Sequence, residues 1–182
     1  HHSELTFSMV YQYSENYINA LSHENFIYGN GTALNRMPGE IKDKLANLRL
    51  TYAYMFMHPG AKLIFQGQDF ATASEFDEGA EEQWQLLRKN DNKGIKNLIK
   101  DLNKLYKKYP ALYKLDKNPE GFEWINSIDA QKCVLSFMRK TDKADETLLV
   151  VCNFAGVDYN LRVGTNTAGK YKEILNTDAK EY

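Results

Sequence analysis

Ser22-His23-Glu24-Asn25 sets an imidazole beside a carboxylate, directly after the short strand-like run Tyr17-Ile18-Asn19-Ala20-Leu21. A carboxylate so placed can move a proton to or from a reacting oxygen, or steady positive charge that develops in a transition state. An adjacent imidazole can hydrogen-bond the same substrate. Taken by themselves, Glu24 reads as an exposed loop residue and His23 as a hydrogen-bonded structural histidine. Other chemistries find less. The four histidines, His1, His2, His23 and His58, show no metal-ligand spacing. Asp69, Glu75, Asp77 and Glu78 form an acidic loop whose spacing fits no calcium loop, so a solvated loop is expected there. There is no GxxxxGK[ST] phosphate loop and no GxGxxG turn, so nucleotide-dependent chemistry has no support.

The elements around these residues change character along the chain. Glu4 to Tyr13 has helix-compatible apolar spacing through Leu5, Met9, Val10 and Tyr13. After the Tyr17–Leu21 strand and the glycine-rich loop Tyr28-Gly29-Asn30-Gly31, Pro38 and Gly39 open a long helix. Its buried face is marked by Ile41, Leu45, Leu48, Tyr52 and Met55, and His58-Pro59-Gly60 stops it. Lys62 to Gln66 reads as a buried parallel strand. A long acidic connection, Gly67 to Lys93, leads to a helix from Gly94 to Tyr109. Ile95, Leu98, Ile99, Leu102, Leu105, Tyr106 and Tyr109 make its apolar stripe, and Lys96, Lys100, Lys104, Lys107 and Lys108 make a solvated basic face.

Beyond Pro110 the texture turns to strands and turns: 121–125, 133–140, 148–153, 159–163 and 171–175. Short strands at regular spacing imply a β-sandwich. The expected fold class is therefore α/β plus all-β, with domains 1–110 and 111–182. The first domain looks incomplete. Two βα units cannot close a barrel, which takes eight strands, and a two-stranded parallel sheet leaves edges unpaired. The chain reads as the C-terminal part of something larger, with exposed apolar strand edges through which it could self-associate.

Composition narrows the classes further. A 43% apolar share can fill a core, and 23 basic against 24 acidic residues give a net charge of -1, with no electrostatic prior for nucleic acid or an anionic membrane. No apolar run approaches the roughly 20 residues of a membrane helix. Cys133 and Cys152 make no disulfide framework; both lie in strand-like apolar runs and read as buried free thiols in a reducing compartment.

Several stretches resemble the bacterial glycogen branching enzymes of the α-amylase superfamily. They include His1-His2, Leu5-Thr6-Phe7-Ser8, Leu21-Ser22-His23, Arg36-Met37-Pro38-Gly39, Ala46-Asn47-Leu48-Arg49 and His58-Pro59-Gly60. Pro110-Ala111-Leu112, Gly121-Phe122-Glu123-Trp124, Val134-Leu135-Ser136-Phe137, Val150-Val151-Cys152-Asn153-Phe154 and Ile174-Leu175-Asn176 continue the match in order. The resemblance implies that residues 1–110 are the last two βα units of a (β/α)8 TIM barrel and that 111–182 are a C-terminal antiparallel β-sandwich, both trimmed. It also implies that His1 and His2 are native residues.

The implied activity is cytoplasmic, needs no cofactor, and acts on α-1,4-glucan or glycogen. Retaining glycosyl transfer uses two flanking carboxyl groups, a nucleophile and an acid that turns base. The resemblance places both upstream of this segment, so the chain alone should not turn over. It places Glu24 at the family's transition-state-stabilising aspartate, and His23 at a histidine that binds the same sugar ring. The site departs from the family there. Glu24 adds a methylene, Asn25 replaces an acid, Tyr28 a histidine and Asn30 a lysine. Gln68-Asp69-Phe70 stands for Asn-Glu-Phe and Ser74-Glu75-Phe76 for Arg-Glu-Trp. A second reading follows from these departures: a non-catalytic scaffold or α-glucan-binding segment of a degenerate relative. Trp84 and Trp124 could stack on glucose rings, with core packing expected for Trp124.

Overall fold

The computed structural model describes residues 2–22, 24, 26 and 28–182. The chain divides into two compact units. One draws on the residues up to Ile18, on Phe56–Ala61 and on Tyr106–Lys172; the other on Asn19–Met55, Lys62–Leu105 and Glu173–Tyr182.

The opening helix α1, His2–Phe7, runs into a 3-10 turn at Ser8–Val10. His2 is buried and its ring donates to the Val134 carbonyl at 3.3 Å. Strand β1 (Ile18–Leu21) and strand β2 (Ala61–Ile64) form a two-stranded sheet. The Ala61 amide donates to Tyr17 O and the Phe65 amide to Leu21 O. Both bonds advance in the same direction along the two strands, so the pair is parallel. The expected burial of β2 is not met: none of its four residues is buried and Leu63 is 47% exposed, and in the paired β1 Ile18 is 61% exposed. A parallel strand is buried only when both its faces are covered, and these are not.

Between the strands stand a short helix α2, Ala33–Arg36, and a long helix α3, Ile41–Met57. Thr32 caps α2 by accepting the Asn35 amide at 3.2 Å. Leu45, Leu48 and Tyr52 of α3 are buried at the expected helical steps. Helix α4 spans Asn90–Lys108 and so begins four residues before the expected Gly94. Gly94 lies inside α4 and packs against the Tyr182 backbone: a Cβ there would come within 2.8 Å of the Tyr182 carbonyl carbon. The glycine marks a close backbone approach rather than a helix boundary. Ile95, Leu98, Ile99 and Leu102 bury the α4 stripe as expected.

The 67–89 connection is more ordered than a solvated acidic loop. It holds 3-10 turns at Gln68–Phe70 and Trp84–Arg88, and it buries Gln68, Phe70, Ala71 and Thr72. Asn92 donates to Phe70 O at 2.8 Å and to Ala71 O at 3.0 Å, which satisfies the carbonyls of this turn.

Strands β3 (Phe122–Asn126), β4 (Val134–Arg139) and β5 (Leu148–Asn153) make an antiparallel sheet in the order β3-β4-β5. Trp124 faces Phe137, Ser136 faces Val151, and the register between β3 and β4 shifts between Trp124 and Asn126. Every residue of the central β4 is buried. The Phe122 and Phe137 rings stack 5.0 Å apart, and Trp124 meets Phe137 edge-on at 5.6 Å. Packing is thus the role found for Trp124, as expected.

Two expected strands are absent. Residues 159–163 and 171–175 carry no strand, and none of them is buried. Alternating apolar residues become a strand only where a neighbouring ladder takes up their N–H and C=O groups, and no such ladder lies beside them among the described residues. Cys133 differs as well. It sits in the turn before β4 at φ 52° and is half-buried, whereas Cys152 is 3% exposed, with burial pushing its thiol up to about 12.

Candidate functional site

The two parallel strands deliver their following loops to the same edge. Open α/β sheets and barrels place their chemistry beyond the carboxyl ends of the strands. Glu24 follows β1 by three residues and is exposed. His23 lies outside the described residues.

What fixes the Glu24 loop comes from the loop after β2. Tyr28, Gly29 and Gly31 all hold positive φ, at 58°, 83° and 74°. That path turns the amides of Gly29 and Gly31 toward one acceptor, the Glu75 carboxylate. Gly29 N–H donates to Oε2 at 3.0 Å, and Gly31 N–H donates to Oε1. These two amide bonds hold the Glu75 carboxyl below the usual carboxylate range. The Phe76 amide adds a bond to Phe26 O at 3.3 Å, and Phe26 is 1% exposed. Gln68 Oε1 accepts the Ala33 amide at 3.1 Å, while the Tyr52 hydroxyl donates to Gln68 O at 2.6 Å. Asn30 Nδ2 donates to Glu24 O at 3.3 Å, tying the glycine loop back to the carboxylate-bearing residue.

Asp69, in the same connection, pairs with Lys96. Trp84 is 53% exposed, and its ring lies 5.4 Å from that of Phe70. Of the acidic residues expected to be merely solvated, Glu75 and Asp69 therefore have defined partners. The sequence held one clue to Glu75. Two glycines spaced by one residue present amides that need an acceptor, but nothing in the sequence named it. The arrangement can present a carboxylate on a braced loop at the mouth of a parallel sheet. No helix among the described residues is long and apolar enough to cross a membrane.

The antiparallel β3-β4-β5 sheet defines the class of the C-terminal part, an all-β domain, and the family comparison agrees with it. Residues 124–182 match the family described as "Alpha amylase, C-terminal all-beta domain". The similarity then becomes particular. Over its whole length the chain is 46% identical to the 1,4-alpha-glucan branching enzyme GlgB of Aquifex aeolicus (strain VF5), covering 29% of that protein. It is 43% identical to GlgB of Rubrobacter xylanophilus, covering 25% of it, and 46% identical to GlgB of Frankia casuarinae, covering 23%. The resemblance to bacterial branching enzymes carried by the motifs thus extends over all 182 residues. The chain spans about a quarter of the length of the relatives it matches.

Proposed function

We propose that this chain is the C-terminal part of a 1,4-α-glucan branching enzyme. Residues 1–110 are the last two βα units of its (β/α)8 barrel, and residues 111–182 belong to its C-terminal β-sandwich domain. The enzyme cuts an α-1,4-glucan chain and transfers it to a 6-hydroxyl, forming an α-1,6 branch in cytoplasmic glycogen. The observation that supports this reading best is Glu24 on a braced loop at the carboxyl end of a parallel strand, in a chain similar throughout to branching enzymes.

Retention requires a nucleophile and an acid/base, and these belong to the part of the enzyme outside these 182 residues. Glu24 stabilises the oxocarbenium-like transition state, and His23 hydrogen-bonds the same ring. Three carboxyl groups suffice for the chemistry, with no cofactor. The half-exposed β1 and β2 seat the rest of the barrel, and in isolation they are edges for self-association. The drift at Glu24, Asn25, Tyr28 and Asn30 favours one rival, a glucan-binding segment without catalysis.

The test is made on the full-length protein with amylose. Branching lowers iodine staining with little release of reducing ends. Reducing ends released in proportion to bonds cut would indicate a hydrolase instead, and no change in staining would favour the non-catalytic rival.

A further inference from the structure

Tyr28 is 94% exposed, and it holds φ 58°, a backbone conformation that bulky side chains rarely adopt. Such a conformation persists only where its surroundings impose it, and strain of this kind gathers at ligand sites. Here the imposing group is identifiable. The residue after Tyr28 and the one three beyond it both donate their amides to Glu75, so the backbone carrying the ring is gripped by a single carboxylate. Asn30, between those two glycines, bonds Glu24 O, so the exposed ring and the Glu24 carboxylate ride on one braced segment.

A tyrosine ring offers an apolar face and a hydroxyl edge at little conformational cost, which suits the C–H face of a pyranose. We propose that Tyr28 is a stacking platform for a glucose unit of the glucan, and that Glu75 is the positioning residue that holds it in place. The proposal rests on the glucan reading above and adds a contact to it.

Glu75 must act as a carboxylate, because each of its oxygens takes one amide. Glutamine would keep one acceptor and turn an NH2 group against the other N–H, so Glu75→Gln is a near-isosteric test of the grip. In the full-length protein, maltoheptaose affinity is measured by calorimetry, branching kinetics with amylose, and amide exchange over residues 28–31 by mass spectrometry. Tyr28→Ala weakens maltoheptaose binding about fivefold and raises KM in step, with kcat within about twofold. Tyr28→Phe keeps at least about half of the affinity, because the ring remains. Glu75→Gln accelerates exchange over 28–31 and weakens binding like Tyr28→Ala, and the double variant is no weaker than either single one.

Unchanged affinity in Tyr28→Ala, in a wild-type protein that branches amylose, overturns this inference and leaves the proposed function standing. A wild-type protein that binds maltoheptaose through Tyr28 but does not branch overturns the enzyme reading alone. Failure of the wild-type protein both to bind maltoheptaose and to branch amylose overturns both, and failure to bind maltoheptaose in a protein that branches amylose overturns this inference alone. Unchanged exchange and affinity in Glu75→Gln removes Glu75 from the positioning role.

Discussion

Replacing Arg139 should cost more stability than any other single change in the sheet. Arg139 is fully buried. Its Nη1 donates to Met57 O at 2.7 Å, its Nη2 donates to Leu112 O at 3.3 Å and pairs with Asp116, and its Nε reaches Gly121 O at 3.4 Å. One guanidinium thus ties β4 to the end of α3, to the 110–112 turn and to the start of β3. Burial lowers its pKa, and the Asp116 carboxylate works against that shift; a guanidinium keeps its charge in proteins. Hydrogen bonds from a charged donor contribute about 1.5–3 kcal/mol each, and the 3.4 Å contact adds little. Arg139→Leu removes two such bonds and leaves Asp116, whose side chain is 14% exposed, without its cation. Leucine regains some apolar burial, so the net loss falls within the roughly 3–5 kcal/mol expected when one partner of a buried pair is deleted.

In a urea titration with a slope of about 2 kcal/mol/M, that loss lowers the midpoint by about 2 M. Adding Asp116→Leu to Arg139→Leu restores about half, since no buried charge is then orphaned. If Arg139→Leu does not fold, Asp116→Asn, which keeps a hydrogen bond and removes the charge, carries the test with a loss of about 1–2 kcal/mol. A midpoint shift below about 0.5 M in Arg139→Leu, or strict additivity in the double variant, would falsify the picture of a buried ionic tie.

The same neighbourhood supplies a contrasting case. The Tyr13 hydroxyl is buried without a hydrogen-bond partner among the described residues, and burial pushes its pKa up to about 12. Tyr13→Phe should therefore be neutral or stabilise by about 1 kcal/mol, and a clear loss in the same titration would reveal a bond to that hydroxyl. Glu24→Asp in the full-length protein should raise the branching rate, by as much as about 100-fold if the extra methylene misplaces the carboxylate by about 1 Å; an unchanged rate supports the non-catalytic rival. Because the Glu75 carboxyl is depressed in the folded protein, its contribution is complete above the unfolded value of about 4.3 and is lost as pH falls through the lower folded value. Amide exchange over 28–31, corrected for intrinsic rates, should accelerate only in that acidic range; acceleration already at pH 6 would point to another group. In native protein a thiol reagent should modify Cys133 well before Cys152, with both reacting after denaturation. Equal native rates would contradict the burial of Cys152.

Elements with local signals were legible in the residue order. Apolar alternation and flanking breakers located β1, β3, β4 and β5, and helical spacing located α3 and the buried stripe of α4. The Ser22-His23-Glu24 motif and its place after β1 were equally legible, because a motif and the strand before it are neighbours in the chain. Tertiary structure alone decided what depends on residues far apart. Glu75 grips amides 46 and 44 residues away, Arg139 meets an acid 23 residues away, and Gly94 leaves room for the Tyr182 backbone. Residues 159–163 and 171–175 have the alternation of strands but not the ladder. Periodicity reports which side of a segment is apolar, whereas hydrogen-bond partners and close approaches exist only once distant segments have been brought together.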